Sequence, residues 1–159
     1  LGNGFSIEKN FSKPLLIGGG VGVAPMLELG AKLKEKGIEP TFLLGARSAK
    51  DLLELEMFEK FGRVLTTTED SSVGEKGFVT QHSVWEKESF DQIFTCGPTP
   101  MMKAIAKLAT EKQIDCEVSL ENKMACGVGA CLCCVEDTKD GHRCVCSDGP
   151  VFNSKNLKW

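Results

Sequence analysis

The chain has 159 residues, 42% of them hydrophobic, and a formal net charge of −3. That is apolar material for one substantial core with a small appendage, and the acidic balance argues against nucleic acid or an anionic membrane surface as partner. No apolar run approaches the roughly 20 residues of a membrane span, and eight cysteines without an export signal point to a reducing cytoplasm and a metal centre.

Residues 1–13 carry two glycines and no clear period, and read as a linker trailing from something upstream. Pro14-Leu15-Leu16-Ile17 is a short apolar run ending in glycine, the mark of a buried strand. After a glycine-rich turn, Met26, Leu29 and Leu33 form a helical stripe, with Gly30 on the same face for close approach to a sheet and Gly37 as C-terminal cap. Thr41–Leu44 is a second strand, running into Gly45. Lys50–Phe61 is expected as a helix with Leu53, Met57 and Phe61 along one side. Val64–Thr68, rich in β-branched residues, is a third strand. Val79–Lys87 is expected as a short helix, Gln92–Cys96 as a fourth strand, Met101–Lys112 as a helix and Cys116–Leu120 as a fifth strand. This alternation predicts an α/β fold: a doubly wound, parallel, five-stranded sheet over residues 14–120, with its ligand past the C-terminal strand ends. Residues 121–159 lose the alternation and read as a small loop-and-hairpin module turning at Asp140-Gly141, stabilised largely by metal.

That module holds Cys126-Gly-Val-Gly-Ala-Cys131-Leu-Cys133-Cys134, and later Cys146 before Ser-Asp-Gly-Pro-Val-Phe. Cys126, Cys131, Cys134 and Cys146 are separated by gaps of four, two and eleven residues, the ligand rhythm of a plant-type [2Fe–2S] centre. Gly127 and Gly129 let the loop turn its amides toward the cluster's negative sulfurs. Structural zinc sites instead use two closely spaced pairs, and adjacent Cys133 and Cys134 make disulfides a poor reading. Cys133, pointing away from Cys134, is expected to be a small buried hydrophobe. Cys144 is the reserve for Cys146, because a strand would put both on one face.

Gly18, Gly19, Gly20 and Gly22, with Ala24 and Pro25, sit between a strand and a helix, where free amides and the helix dipole hold a pyrophosphate. The third glycine of the dinucleotide fingerprint is replaced by Pro25. Where such folds place an acid for the ribose, this chain has Arg47, which suits a 2′-phosphate or stands as a solvated surface arginine. Cys96, Gly97 and Pro98 end the fourth strand beside the same crevice. Cys96 is read as a neutral wall of a nicotinamide pocket, or as a buried structural thiol. His82 and His142 stand in no recognisable catalytic context, and no catalytic residue is assigned.

Gly18-Gly19-Gly20-x-Gly22-x-Ala24-Pro25 with Cys96-Gly97-Pro98-x-Pro100-Met101-Met102 resembles the NAD-binding half of the ferredoxin–NADP reductase superfamily. With the cysteine segment and Asp148-Gly149-Pro150-Val151-Phe152, nearly the whole chain resembles the electron-transfer subunits of class B dihydroorotate dehydrogenases. The resemblance implies an NAD-dependent oxidoreductase subunit with NAD⁺ as acceptor, an FAD, the [2Fe–2S] cluster, and a partner catalytic subunit carrying FMN in a cytoplasmic hetero-oligomer of pyrimidine biosynthesis. Family members also carry an N-terminal flavin-binding β-barrel of roughly a hundred residues, with an Arg-x-Tyr-Ser type motif. This chain has no tyrosine, so it is expected to be a piece lacking that barrel, with FAD held mainly outside it. A ferredoxin- or sulfide-linked NAD(P) reductase subunit and a zinc-stabilised binding module are the alternatives.

Overall fold

The computed structural model describes all 159 residues, Leu1–Trp159. Five strands form where the buried runs stand: β1 (Pro14–Gly19), β2 (Thr41–Ala46), β3 (Arg63–Thr68), β5 (Gln92–Cys96) and β6 (Asp115–Ser119). They are parallel. Two short strands extend this set at its rims: β4 (Glu75–Lys76) beside β3, and β9 (Val151–Asn153) antiparallel to β6. The order is β4-β3-β2-β1-β5-β6-β9, a seven-stranded sheet rather than the expected five.

Because successive side chains on a strand leave opposite faces, the run Leu15-Leu16-Ile17 feeds two cores. Leu15 and Ile17 join Leu43, Ile93 and Val118 beneath α4 (Thr99–Glu111), whose Met102, Ile105 and Ala109 face the sheet. Leu16 joins Phe42, Leu44 and Phe94 beneath α1 (Val23–Glu35), through Met26, Leu29 and Leu33. Gly30 allows that contact, since a methyl there would meet the Phe42 ring.

Two expected helices are interrupted. Residues 50–61 give a 3-10 turn (Ala49–Asp51) and a short α2 (Leu55–Glu59), separated at Glu54, which has φ 57°. Phe58, not Leu53 or Met57, is the buried residue there, and its ring packs edge-on against Phe42 at 5.0 Å. That contact sets the rotation of α2 and leaves Leu53 60% exposed. Residues 79–87 split likewise into a 3-10 turn (Val79–Gln81) and α3 (Val84–Lys87), with extended His82 between them accepting the Val84 N–H at its Nδ1 (2.9 Å).

The first thirteen residues are folded against the sheet, contrary to their reading as a linker. Phe5 and Phe11 both meet Phe94 edge-on, at 5.3 and 5.5 Å. Below them Glu117, a β6 carboxylate buried to 3% exposure, accepts Ser6 N–H at 2.8 Å and Lys9 Nζ at 2.7 Å.

The C-terminal segment contains the hairpin of β7 (Val135–Thr138) and β8 (Gly141–Cys144); its turn is Lys139-Asp140, one residue before the expected Asp140-Gly141, because Gly141 already pairs with Thr138. The segment does not rest on metal and a private core alone: Cys134, Val145, Cys146 and Leu157 belong to the same apolar cluster as β1 and β6. No helix is long and apolar enough to cross a membrane.

Candidate nucleotide cleft and thiol centre

The strand order reverses beside β1: its crossover through α1 leads to β2, while β5 lies on the other flank. Open α/β sheets leave a crevice at such a switch point, past the C-terminal strand ends. Here that crevice is a cleft of about 970 Å³, at the upper end of the range for small-molecule sites.

Gly20, at φ 57°, begins the 3-10 turn Gly20–Gly22 that leads into α1. No side chain caps the start of α1 and no acid lies in its first turn, which suits an anion, although the Val23 N–H is already taken by the Gly20 carbonyl. Gly19, Gly20, Ala24, Arg47 and Pro98 line the cleft, whereas Gly18, Gly22, Pro25, Cys96 and Gly97 are not part of its lining. These glycines pack backbone on backbone. A methyl on Gly22 would collide with the Cys96 carbonyl, and one on Gly97 would come within 3.0 Å of the Gly19 carbonyl oxygen. The two motifs therefore close on each other.

Cys96 is 1% exposed and does not face the cleft. Burial, reinforced by Glu121, pushes its thiol up to about 11, so it is protonated at neutral pH and no nucleophile. Arg47 is an exposed side chain whose Nε lies 3.6 Å from Asp51.

Residues not anticipated from the sequence complete the wall. Thr67 and Glu69 come from the end of β3, and Phe78 and Val79 from the segment after β4. The Thr67 hydroxyl is buried at 1% exposure and has no hydrogen-bond partner. The available signal was a strand end, Thr-Thr-Glu-Asp, followed by Gly77-Phe78. Met101, in the first turn of α4, sets its sulfur over Gly19 and lines the cleft.

At the other site, Gly127, Gly129 and Leu132 all have left-handed φ, at 71°, 76° and 58°. This winding turns main-chain amides inward onto sulfur. Val128 N and Cys131 N donate to Cys126 Sγ at 3.4 Å, Gly129 N to Cys146 Sγ at 3.2 Å, and Cys146 N to Cys134 Sγ at 3.4 Å. The Val128 and Cys131 amides lower the Cys126 thiol to about 6, and the Cys146 amide lowers that of Cys134.

Main-chain bonds link the four cysteines as two couples, the Cys131 N–H on Cys126 Sγ and the Cys146 N–H on Cys134 Sγ. No three ligating side chains converge on one point. A tetrahedral single ion requires sulfurs about 3.8 Å apart all round, since Zn–S is about 2.3 Å; a two-iron cluster takes one couple per iron. The donor set fits the latter. Cys133 is exposed rather than buried, on the outside of the loop. Cys144 is half-buried and donates its S–H to Gly129 O at 3.7 Å, and burial raises its thiol. It stands beside the four sulfurs as a protonated donor.

Residues 16–107 match the oxidoreductase NAD-binding domain family, and residues 121–158 match the iron-sulfur cluster binding domain of dihydroorotate dehydrogenase B. The chain is 45% identical over 150 residues to a probable dihydroorotate dehydrogenase B (NAD(+)) electron transfer subunit of Methanocaldococcus jannaschii, covering 92% of this chain and 57% of the relative. It is 40% identical over 161 residues to the corresponding subunit of Clostridium perfringens, covering 100% of this chain and 64% of the relative. Among solved structures, one described as NADH-dependent reduced ferredoxin-NADP oxidoreductase superposes with TM-score 0.89 at 34% identity, over 99% of this chain and 58% of that one. The C-terminal domain of a Pyrococcus furiosus hydrogenase shares the fold, with TM-score 0.59 at 21% identity over 76% of this chain and 99% of that one.

Proposed function

Because the chain belongs to the oxidoreductase NAD-binding family, and its C-terminal segment to the iron-sulfur cluster binding domain of dihydroorotate dehydrogenase B, we propose that it acts as an electron-transfer subunit. In this reading it relays electrons from a dihydroorotate-oxidising, FMN-containing partner to NAD⁺, in the cytoplasm, within a hetero-oligomer. The observation that carries it is the joining of two sites on one sheet: β9, which begins five residues after Cys146, is hydrogen-bonded to β6, next to the strand that shapes the nucleotide cleft.

Cys126, Cys131, Cys134 and Cys146 would hold the cluster, and inward amides would stabilise its negative sulfurs. Gly18, Gly19, Gly20 and Gly22 with Ala24 and Pro25 would shape the pyrophosphate site at the α1 N-terminus, and Gly97-Pro98 would flank the nicotinamide. The cluster, when bound, supplies one-electron transfer, the nicotinamide accepts a hydride, and a flavin (FAD, held mainly by sequence outside this chain) converts one into the other. The division into an arm (1–13), a nucleotide-binding part (14–120) and a cluster-binding part (121–159) follows these roles.

Anaerobic reconstitution with iron and sulfide tests the reading. A visible absorption band, an EPR signal after one-electron reduction and saturable NADH binding are expected; a colourless protein with one zinc per chain would sink it. The likeness to the ferredoxin–NADP oxidoreductase structure favours a second reading, a ferredoxin-linked reductase subunit. Co-purification with a dihydroorotate-oxidising subunit, or with a ferredoxin-oxidising one, separates the two.

A further inference from the structure

The first three residues of the arm lie on the thiol centre, touching both of its ligand segments. The Leu1 side chain reaches the cysteine loop: a methyl on Gly127 would stand 3.4 Å from Leu1 Cδ1. Gly2, at φ 64°, runs against the other segment, since a methyl there would collide with the Gly149 carbonyl and come within 3.2 Å of the Cys146 carbonyl oxygen. Asn3 follows with three bonds to the same turn. Its N–H donates to Gly149 O, its Nδ2 donates to Asp148 O at 3.1 Å, and its carbonyl accepts the Val151 N–H at 3.3 Å.

The turn held in this way carries Cys146. Cys126, Cys131 and Cys134 share one short loop, but Cys146 has to be brought to them from a separate segment. Residues 144–148 close on themselves: Ser147 N and Asp148 N donate to Cys144 O at 3.1 and 2.8 Å, and Asp148 Oδ2 accepts the Cys144 N–H at 2.8 Å. On its inner side the turn is tied to the loop by the Val145 N–H on Cys134 O at 3.1 Å. On its outer side it meets Asn3. Groups that fix the orientation of a metal ligand commonly change metal affinity by about 10–100-fold when removed. Farther along, the arm has a second and separate anchorage on the sheet, where Ser6 and Lys9 hold Glu117 and Phe11 meets Phe94.

We propose that Asn3 is a positioning residue for the iron-sulfur centre: it clamps the turn behind Cys146 and so holds the fourth thiolate against the loop that bears the other three. An amide side chain suits the task because it donates to a carbonyl, whereas a carboxylate of the same shape only accepts. This rests on Cys126, Cys131, Cys134 and Cys146 holding the cluster.

The test is anaerobic reconstitution of wild type, Asn3→Ala, Asn3→Asp and Lys9→Met with iron and sulfide, followed by bleaching with an iron chelator, EPR of the reduced protein, NADH titration and urea denaturation. Asn3→Ala is expected to bleach about threefold faster than wild type and Asn3→Asp about tenfold faster, since the second also sets a carboxylate against the Asp148 carbonyl. Both are expected to change the shape of the EPR signal while binding NADH as wild type does. Lys9→Met, which frees the arm at its sheet anchorage, is expected to lower the urea midpoint yet keep the wild-type bleaching rate and EPR signal. Wild-type bleaching and EPR in both Asn3 variants overturn the proposal. Equal acceleration in Lys9→Met also overturns it, because the effect is then one of general arm loosening. A wild type that takes up no iron removes the cluster assignment and the clamp together, whereas a wild type that loads normally leaves the Asn3 variants to decide the clamp alone.

Discussion

Cys133 and Cys134 are sequence neighbours with opposite surroundings: the first is in solvent, the second buried beside Cys146. The gaps between cysteines were legible because loop geometry limits which thiols can turn inward; the burial of Cys133 was not, because it depends on what packs outside the loop. Cys131→Ser should abolish the visible absorption of the reconstituted protein, while Cys133→Ser leaves both absorption and EPR signal unchanged. Loss of the signal in the second variant would exclude the assigned ligand set. His82 offers a pH test at the same scale. Burial holds its imidazole below the ordinary 6.5, outweighing the nearby Glu75 carboxylate. The unfolded chain takes up this proton near 6.5 and the folded chain only at lower pH. The stabilisation is therefore complete above pH 6.5 and is lost as pH falls through the folded value. The urea midpoint of wild type should drop more steeply from pH 7.5 to 5.5 than that of His82→Gln.

The β1–α1 turn was legible as a phosphate cradle from its glycines alone, but not how each glycine serves. Gly22 is pressed against the Cys96 carbonyl, whereas Gly20 has open space and only its left-handed φ to protect. Gly22→Ala should cost about 1–3 kcal/mol, the scale of overpacking, and weaken nucleotide binding by moving the turn. Gly20→Ala should cost only about 1–2 kcal/mol of backbone strain. Urea denaturation with an NADH titration distinguishes the two. The helix expected over 50–61 failed for a related reason. Leu53, Met57 and Phe61 keep helical spacing, yet the docking of Phe58 on Phe42 decides which side faces inward, and that contact joins different elements.

Across the whole molecule, the arm and the cluster segment behave as parts of one body. Asn3 donates its N–H to the Gly149 carbonyl and accepts the Val151 N–H at 3.3 Å, while Lys9 reaches the buried Glu117. Nothing in the composition of residues 1–13 foretold this, since Phe5 and Phe11 find their partner at Phe94, some eighty residues on. Lys9→Met leaves Glu117 with the Ser6 amide alone. It should cost about 1–2 kcal/mol, less than a fully buried pair because Lys9 is half exposed. Urea denaturation, with limited proteolysis of the arm, measures it.

The short strand β9 also has a bearing on solubility. One rim of the sheet ends in two-residue β4, too brief to recruit another chain, and the other is covered by β9. Were the thiol segment to come loose on iron loss, Glu117, Val118 and Ser119 of β6 would lose their partners and extend a naked border of unpaired amides and carbonyls. Stripping the metal should therefore make the protein cloudy as well as pale, and light scattering during chelation should rise in step with bleaching.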